Sequence, residues 1–180
     1  MRRMGVWMWM DLPGRYGAGP VMDLCAEAGV TDVFFLTKGL RGTVACRPLI
    51  PGLEPAYPGR DLLGELLEAA HARGLRVHAW LTSASDGLYK ARHPESGLVH
   101  FLRGRDRDIV SIADEPYARF MEGFVAALSS AYALDGLHLD YIRYNHMAYG
   151  WSKADLDRYA AAGADPERLR AWIRRAFFGE

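Results

Sequence analysis

The sequence carries no surplus of charge of either sign: 22 basic and 22 acidic side chains cancel within 180 residues. A polyanion binder needs excess Lys and Arg to neutralise phosphates, so nucleic acid is not an expected partner. Cysteine is nearly absent. Cys25 and Cys46 fit neither a disulfide framework nor a zinc pattern, and Cys25, inside a helical pattern, reads as a small core residue. No apolar run approaches the roughly 20 residues of a membrane span, so no membrane partner is expected. Low-complexity segments are missing too. No candidate strand is followed by Gly-x-Gly-x-x-Gly, which disfavours a dinucleotide cradle. His71, His78, His138 and His146 form no close-spaced ligand set with a carboxylate, so neither a metal nor another cofactor is expected.

Half of the residues are hydrophobic, enough for one folded domain over residues 1–180 with a real core. The basic start Met1-Arg2-Arg3 precedes a short apolar run, but Asp11-Leu12-Pro13-Gly14 follows at once, without a small-residue cleavage site. The run therefore reads as a first strand. The chain as given is expected in the cytoplasm, or outside the cell if a leader was removed before Met1.

Four strand-then-helix units follow in order. The first strand covers residues 4–10, and a helix opened by Pro20 ends at Gly29. The second strand is Thr31–Thr37, apolar enough to be buried on both faces. After a loop of about twenty residues, Asp61 caps a helix with Leu62, Leu63, Leu66, Leu67 and Ala70 on one stripe, closing at Gly74. The third strand is Leu75–Leu81. A polar, charged stretch of about thirty residues reads as a loop of a length that is usually functional or disordered. Asp114 and Pro116 start a third helix, Gly136–Tyr141 is the fourth strand, and residues 152–178 hold two short helices, the second from Asp165-Pro166. Alternation of apolar strands with helices predicts an α/β fold with a parallel sheet. Tight entries and long exits suit a (β/α) TIM-type barrel, here about four units and hence a half or incomplete barrel, as well as an open doubly wound sheet.

The fourth strand carries the densest chemistry. Alternation places His138 and Asp140 on one face and Leu137, Leu139 and Tyr141 on the other. If the leucines face helices, Asp140 stands at a barrel mouth, where its surroundings set its use as nucleophile or acid–base group. A structural Asp paired with Arg143 is the competing reading. His78 and Trp80 share a face of the third strand, where an indole at the exit can stack on a sugar ring, or both can fill the core. Lys38 follows the second strand directly and either holds an anionic or hydroxyl-bearing ligand or is solvated. Asp11 holds the matching place after the first strand, as a site residue or a turn former.

Two segments resemble a known family. Ala70-His71-Ala72-Arg73-Gly74-Leu75-Arg76-Val77-His78-Ala79-Trp80-Leu81 and Asp135-Gly136-Leu137-His138-Leu139-Asp140-Tyr141-Ile142-Arg143-Tyr144 are similar to motifs of the family 10-like glycosyl hydrolases. These are bacterial (β/α)8 barrels related to α-amylase-like barrels. Gly5-Val6-Trp7, Pro58-Gly59-Arg60-Asp61, His93-Pro94 and Val110-Ser111-Ile112-Ala113 agree in order, so the likeness runs from about residue 4 to 146. It implies hydrolysis of a polysaccharide, such as a bacterial cell-wall or exopolysaccharide glycan. It implies Asp140 as nucleophile, and His78, Trp80, Tyr141, Arg143 and Tyr144 lining subsites, with Arg143 orienting Asp140 and favouring its ionised form.

Glycoside hydrolysis needs a second carboxyl, about 5–5.5 Å away for retention or 6.5–9.5 Å for inversion. Within the chain only Asp11, Asp86, Asp114 or Glu115 offers one, and a full barrel takes about 250 residues. The expectation is therefore a half barrel completed by a missing C-terminal half or by a second copy. Two other readings stay open: a non-catalytic carbohydrate-binding module, and an open-sheet domain holding a phosphorylated ligand near Gly14, Gly17 and Gly19.

Overall fold

The computed structural model describes residues 3–179, without the side chains of residues 107 and 108; Met1 and Arg2 of the basic start lie outside it. The elements run β1 Gly5–Met8, α1 Asp11–Tyr16, α2 Ala18–Glu27, β2 Asp32–Lys38, β3 Thr43–Val44, β4 Glu54–Pro55, α3 Leu62–His71, β5 Arg76–Thr82, α4 Gly87–Arg92, β6 Gly97–His100, β7 Gly104–Val110, α5 Glu115–Ala131, β8 Gly136–Asp140, α6 Lys153–Ala161 and α7 Pro166–Ile173.

β1, β2, β5 and β8 pair in that order, all parallel, which is the strand order of a (β/α) barrel. One face of the sheet takes Val33, Phe35, Val77, Ala79 and Leu81, all buried against Met22 of α2, the Leu62, Leu63, Leu66 and Leu67 stripe of α3, and Phe124 and Leu128 of α5. The predicted α3 stripe and its cap stand: Asp61 accepts a hydrogen bond from the Gly64 N–H at 3.2 Å. Gly29 and Gly74 follow α2 and α3 with φ of 76° and 69°, the left-handed backbone that ends a helix most cheaply at glycine. Cys46 is buried in this core, whereas Cys25 only packs against its edge.

The other face carries Trp7, Phe34, His78 and His138 in ring contact. Trp7 stacks on Phe34 at 5.0 Å, Phe34 on His78 at 4.8 Å, and His138 sits edge-on to Phe34 at 5.3 Å. This is the inner face of a partial (β/α) barrel of four parallel strands, and Trp7 is 58% exposed there. Leu137 and Leu139 do point to the opposite face from His138, as the alternation requires, but no helix covers them: they are 40% and 49% exposed. Among the described residues β1 and β8 each have one strand neighbour.

Three segments differ from the sequence reading. Asp11-Leu12-Pro13-Gly14 ends β1 but passes straight into α1, because Pro13 in a first turn forfeits no helical hydrogen bond. The stretch of about thirty residues after β5 is built rather than loose: α4 is capped by Asp86, and β6 and β7 form an antiparallel hairpin. Two further two-residue strands, β3 and β4, occupy the loop after β2. The two C-terminal helices stand where expected, with a capping box at Ser152 and Asp155 and an Asp165 cap. They pack with the hairpin region into a cap on the barrel: Phe101 N–H donates to the Ala148 carbonyl at 2.7 Å, and Arg170 lies over the Trp151 ring at 5.2 Å. No helix among the described residues is long and apolar enough to cross a membrane.

Candidate active site

Asp140 is the last residue of β8, at the carboxyl end of the sheet, where barrels of this type place their chemistry. It is half-buried. The Trp80 indole Nε1–H donates to its Oδ2 at 3.0 Å, and the Tyr141 N–H donates to its Oδ1 at 2.7 Å. Trp80, itself buried, stands edge-on to Trp9 at 5.6 Å. Trp9 in turn forms the wall of a hollow of about 620 Å³ lined also by Trp7, Asp11, Leu36, Leu40 and Arg41. Asp140 does not line that hollow; it lies one indole further along the same mouth. Trp7 in β1 and Trp9 just beyond it are site residues that the sequence motifs do not mark, although the Trp-Met-Trp spacing sets both indoles to one side.

The remaining residues divide by height in the barrel. His78 lies low: its Nε2 is 2.8 Å from Asp32 Oδ1, and Arg76 donates to the other oxygen at 2.7 Å. Burial opposes ionisation of Asp32, but the bonds from His78, Thr31 and Arg76 prevail and hold its carboxyl far below the usual range. His78 thus belongs to a structural layer. His138 fills the middle of the interior. Asp135 is also a floor residue: burial raises it, yet the Val77 N–H at 2.8 Å and His71 at 2.9 Å outweigh that and lower it.

Three expectations need correction. Lys38 is neither solvated nor free for a ligand. The bulge between Leu36 and Lys38 turns it inward, where its Nζ lies 3.1 Å from Asp86 Oδ2 and donates to the Thr82 and Ser85 carbonyls at 3.1 and 2.9 Å. Burial pushes this amine below the ordinary lysine value in spite of Asp86. Arg143 is exposed, and no ion pair or hydrogen bond among the described residues joins it to Asp140; Trp80 does the orienting instead. Tyr144 lies away from Asp140. Its hydroxyl donates to Asp155 and is 3.2 Å from Ser111 Oγ, and its ring lines a separate hollow of about 330 Å³ with Tyr159, Leu169 and Trp172.

Of the four candidate second carboxylates, three are engaged elsewhere. Asp86 is bound to Lys38, Asp114 caps α5 through the Tyr117 N–H at 2.9 Å, and Glu115 pairs with Arg119 at 3.5 Å on the surface. Asp11 alone faces the hollow. Among the described residues no three His, Cys, Asp or Glu side chains converge as a metal site.

No family model and no curated protein matches the chain. Solved structures do. An α-L-fucosidase isoenzyme 2 from Paenibacillus thiaminolyticus superposes with a TM-score of 0.76 at 19% identity, covering 97% of this chain and 29% of that one. The α-fucosidase of Thermotoga maritima in complex with fucose gives 0.54 at 19%, covering 88% and 33%. A hypothetical protein from Ruminiclostridium thermocellum gives 0.66 at 16%, covering 91% and 92%. The fold is therefore that of glycosidase (β/α) barrels, in part: the chain spans under a third of the Paenibacillus enzyme. These structures do not support the family 10-like group in particular, a resemblance that rests on the sequence motifs.

Proposed function

We propose that the chain is the nucleophile-bearing part of a glycoside hydrolase, with Asp140 attacking the anomeric carbon of a sugar held against the exposed Trp7 and Trp9 rings. The observation that carries this reading is a carboxylate at the carboxyl end of the fourth parallel strand, fixed by two N–H donors and adjoining an aromatic hollow. The fucosidase neighbours favour an α-L-fucoside as substrate class, within the polysaccharide substrates that the motifs imply. A 6-deoxy sugar suits the hollow, whose lining is mostly apolar, with Asp11 and Arg41 to meet ring hydroxyls.

Within the described residues Asp11 is the one candidate for the second carboxyl that faces the hollow. Asp11 follows β1, three strands from β8 along the sheet, while side chains of the two strands approach across the interior, Trp7 and His138 at 6.0 Å; a glycosidase pair needs its carboxyls about 5–9.5 Å apart. Pairing of β1 and β8 edges between two copies is one way to close the barrel; a dimer mass in light scattering supports it and a monomer mass counts against it.

Hydrolysis of 4-nitrophenyl α-L-fucoside tests the reading, because nitrophenolate leaves with little help from an acid. Asp140→Asn should lower release by at least about a hundredfold, the scale of losing a reacting group; equal release removes Asp140 from the chemistry. A second reading, sugar binding without turnover, draws on the single candidate for a second carboxyl. Quenching of tryptophan fluorescence by L-fucose with no nitrophenol release would favour it.

A further inference from the structure

We propose that Arg41 is the specificity determinant of the aromatic hollow: it recognises an anionic group on the bound glycan, a sulfate ester or a carboxylate. The inference deepens the reading of that hollow as a sugar site and rests on it.

Arg41 is the one cationic side chain among the residues lining the hollow, and Asp11 the one acid. Among the described residues no hydrogen bond, ion pair or ring contact engages its guanidinium. Arginines of the barrel body do have carboxylate partners: Arg60 pairs with Glu65, Arg73 with Asp23 and Arg76 with Asp32. Asp11 borders the same hollow without pairing to Arg41, so the guanidinium fork stays open.

The backbone that presents this side chain is fastened on several sides. Leu40 and Arg41 form the corner of a tight turn, closed by the Gly42 N–H donating to the Gly39 carbonyl at 3.0 Å. Each corner carbonyl takes a donor from the chain after β5. The Ser85 hydroxyl donates to the Leu40 carbonyl at 2.9 Å, and the Leu88 N–H to the Arg41 carbonyl at 2.9 Å. Gly42, at φ 94°, packs so closely on Asp86 that a Cβ there would collide with the carboxylate. Asp86 in turn is held by Lys38 at 3.1 Å and caps α4. The turn is thus tied to the buried ion pair beneath it, and the guanidinium alone is left without a partner.

A neutral hydroxyl uses part of a guanidinium's donor set, whereas a sulfate or carboxylate accepts two parallel N–H bonds and cancels the charge. The indole and leucine walls of the hollow weaken screening, so the charge acts more strongly there than on an open surface. Asp11, an acceptor, suits hydroxyls of the same sugar. The hollow therefore offers a glycan two chemically opposite contacts.

Quenching of the full chain's tryptophan fluorescence, titrated with L-fucose, L-fucose 4-sulfate and D-glucuronate, reads this without turnover. One of the charged sugars should bind at least about tenfold more tightly than L-fucose at low salt, the scale of a charge-assisted bidentate contact. Which one does so distinguishes sulfate ester from carboxylate. The preference should shrink in about 0.5 M NaCl. In Arg41→Gln the ratio of neutral to charged Kd should fall to within about twofold of unity. Ser85→Ala, which loosens the turn, should lower that ratio by at least about threefold, a readout that lost stability alone does not move; an unchanged ratio overturns the role of the turn. Equal Kd for all three sugars, a preference that survives Arg41→Gln, or no quenching by any of them overturns the proposal. Undiminished turnover in Asp140→Asn removes the nucleophile and leaves this titration to judge Arg41 alone.

Discussion

The barrel body and the cap that rides on it are stabilised in different ways. In the body, β1, β2, β5 and β8 set apolar side chains against α2, α3 and α5, and whole helices present one stripe of leucines. In the cap, the β6–β7 hairpin, the segment after β8 and helices α6 and α7 are joined by hydroxyl–carboxylate bonds, arginines over rings and backbone bridges. The body buries area without direction; the cap depends on particular donors and acceptors. Charge changes and single polar deletions should therefore disturb the cap locally, while volume changes should unfold the body as a whole. One polar element of the body runs against this division, the buried Lys38–Asp86 pair that fastens the mouth of β2 to the start of α4.

That pair provides the largest expected effect. Asp86→Ala leaves the Lys38 ammonium buried without its carboxylate and removes the α4 cap, so global stability should fall by about 3–5 kcal/mol in urea denaturation. A loss under about 1 kcal/mol would show that water reaches the amine. Next comes a pair of identical truncations. Leu66→Ala in the packed stripe should cost about 2–5 kcal/mol, and Leu139→Ala on the bare face of β8 under about 0.5 kcal/mol. Equal costs would mean that something covers β8 in solution.

The smallest effect concerns the cap and pH. His100 is buried, and its Nδ1 accepts the Leu102 and Arg103 N–H groups at 3.0 and 3.2 Å, which requires the neutral ring. Burial, then the charges of Arg103 and His146, hold its pKa below the ordinary 6.5. The unfolded chain then takes up the proton first, so hairpin stability is present above pH of about 6.5 and declines as pH falls below it. Amide exchange in β6 and β7 should accelerate on that side, with α3 unchanged; parallel acceleration in α3 would contradict the separation of body and cap.

The same division governs what could be read from the sequence. The body was legible because its strands are continuous apolar runs, α3 and α5 open at Asp61 and Asp114, and α2 and α3 close at Gly29 and Gly74, signals that are local and repeat. The hairpin was not. β7 alternates charges in Gly-Arg-Asp-Arg-Asp, so no apolar face announces a strand, and its partner is fixed by the turn and by contacts with Tyr149 and Trp151. Asp140 and Trp80 came from two distant motifs that pairing of β5 with β8 brings to one hydrogen bond. Lys38 was misplaced because a bulge reverses the side-chain parity at the end of β2, and a bulge leaves little trace in composition. Arg143 took its role from the motif resemblance, and the chain turns at Tyr141, φ 55°, directly after the strand, so Arg143 no longer follows the strand alternation.

The central claim is that Asp140 forms a covalent bond with the sugar. A fluorinated fucosyl fluoride carries its own leaving group and slows release of the sugar from the enzyme, so trapping does not wait for a second carboxyl. Mass spectrometry after incubation should find one added fluorofucosyl unit per chain on the peptide containing Asp140, and none in Asp140→Asn. A label on another residue, or an unlabelled wild-type chain, would contradict the account.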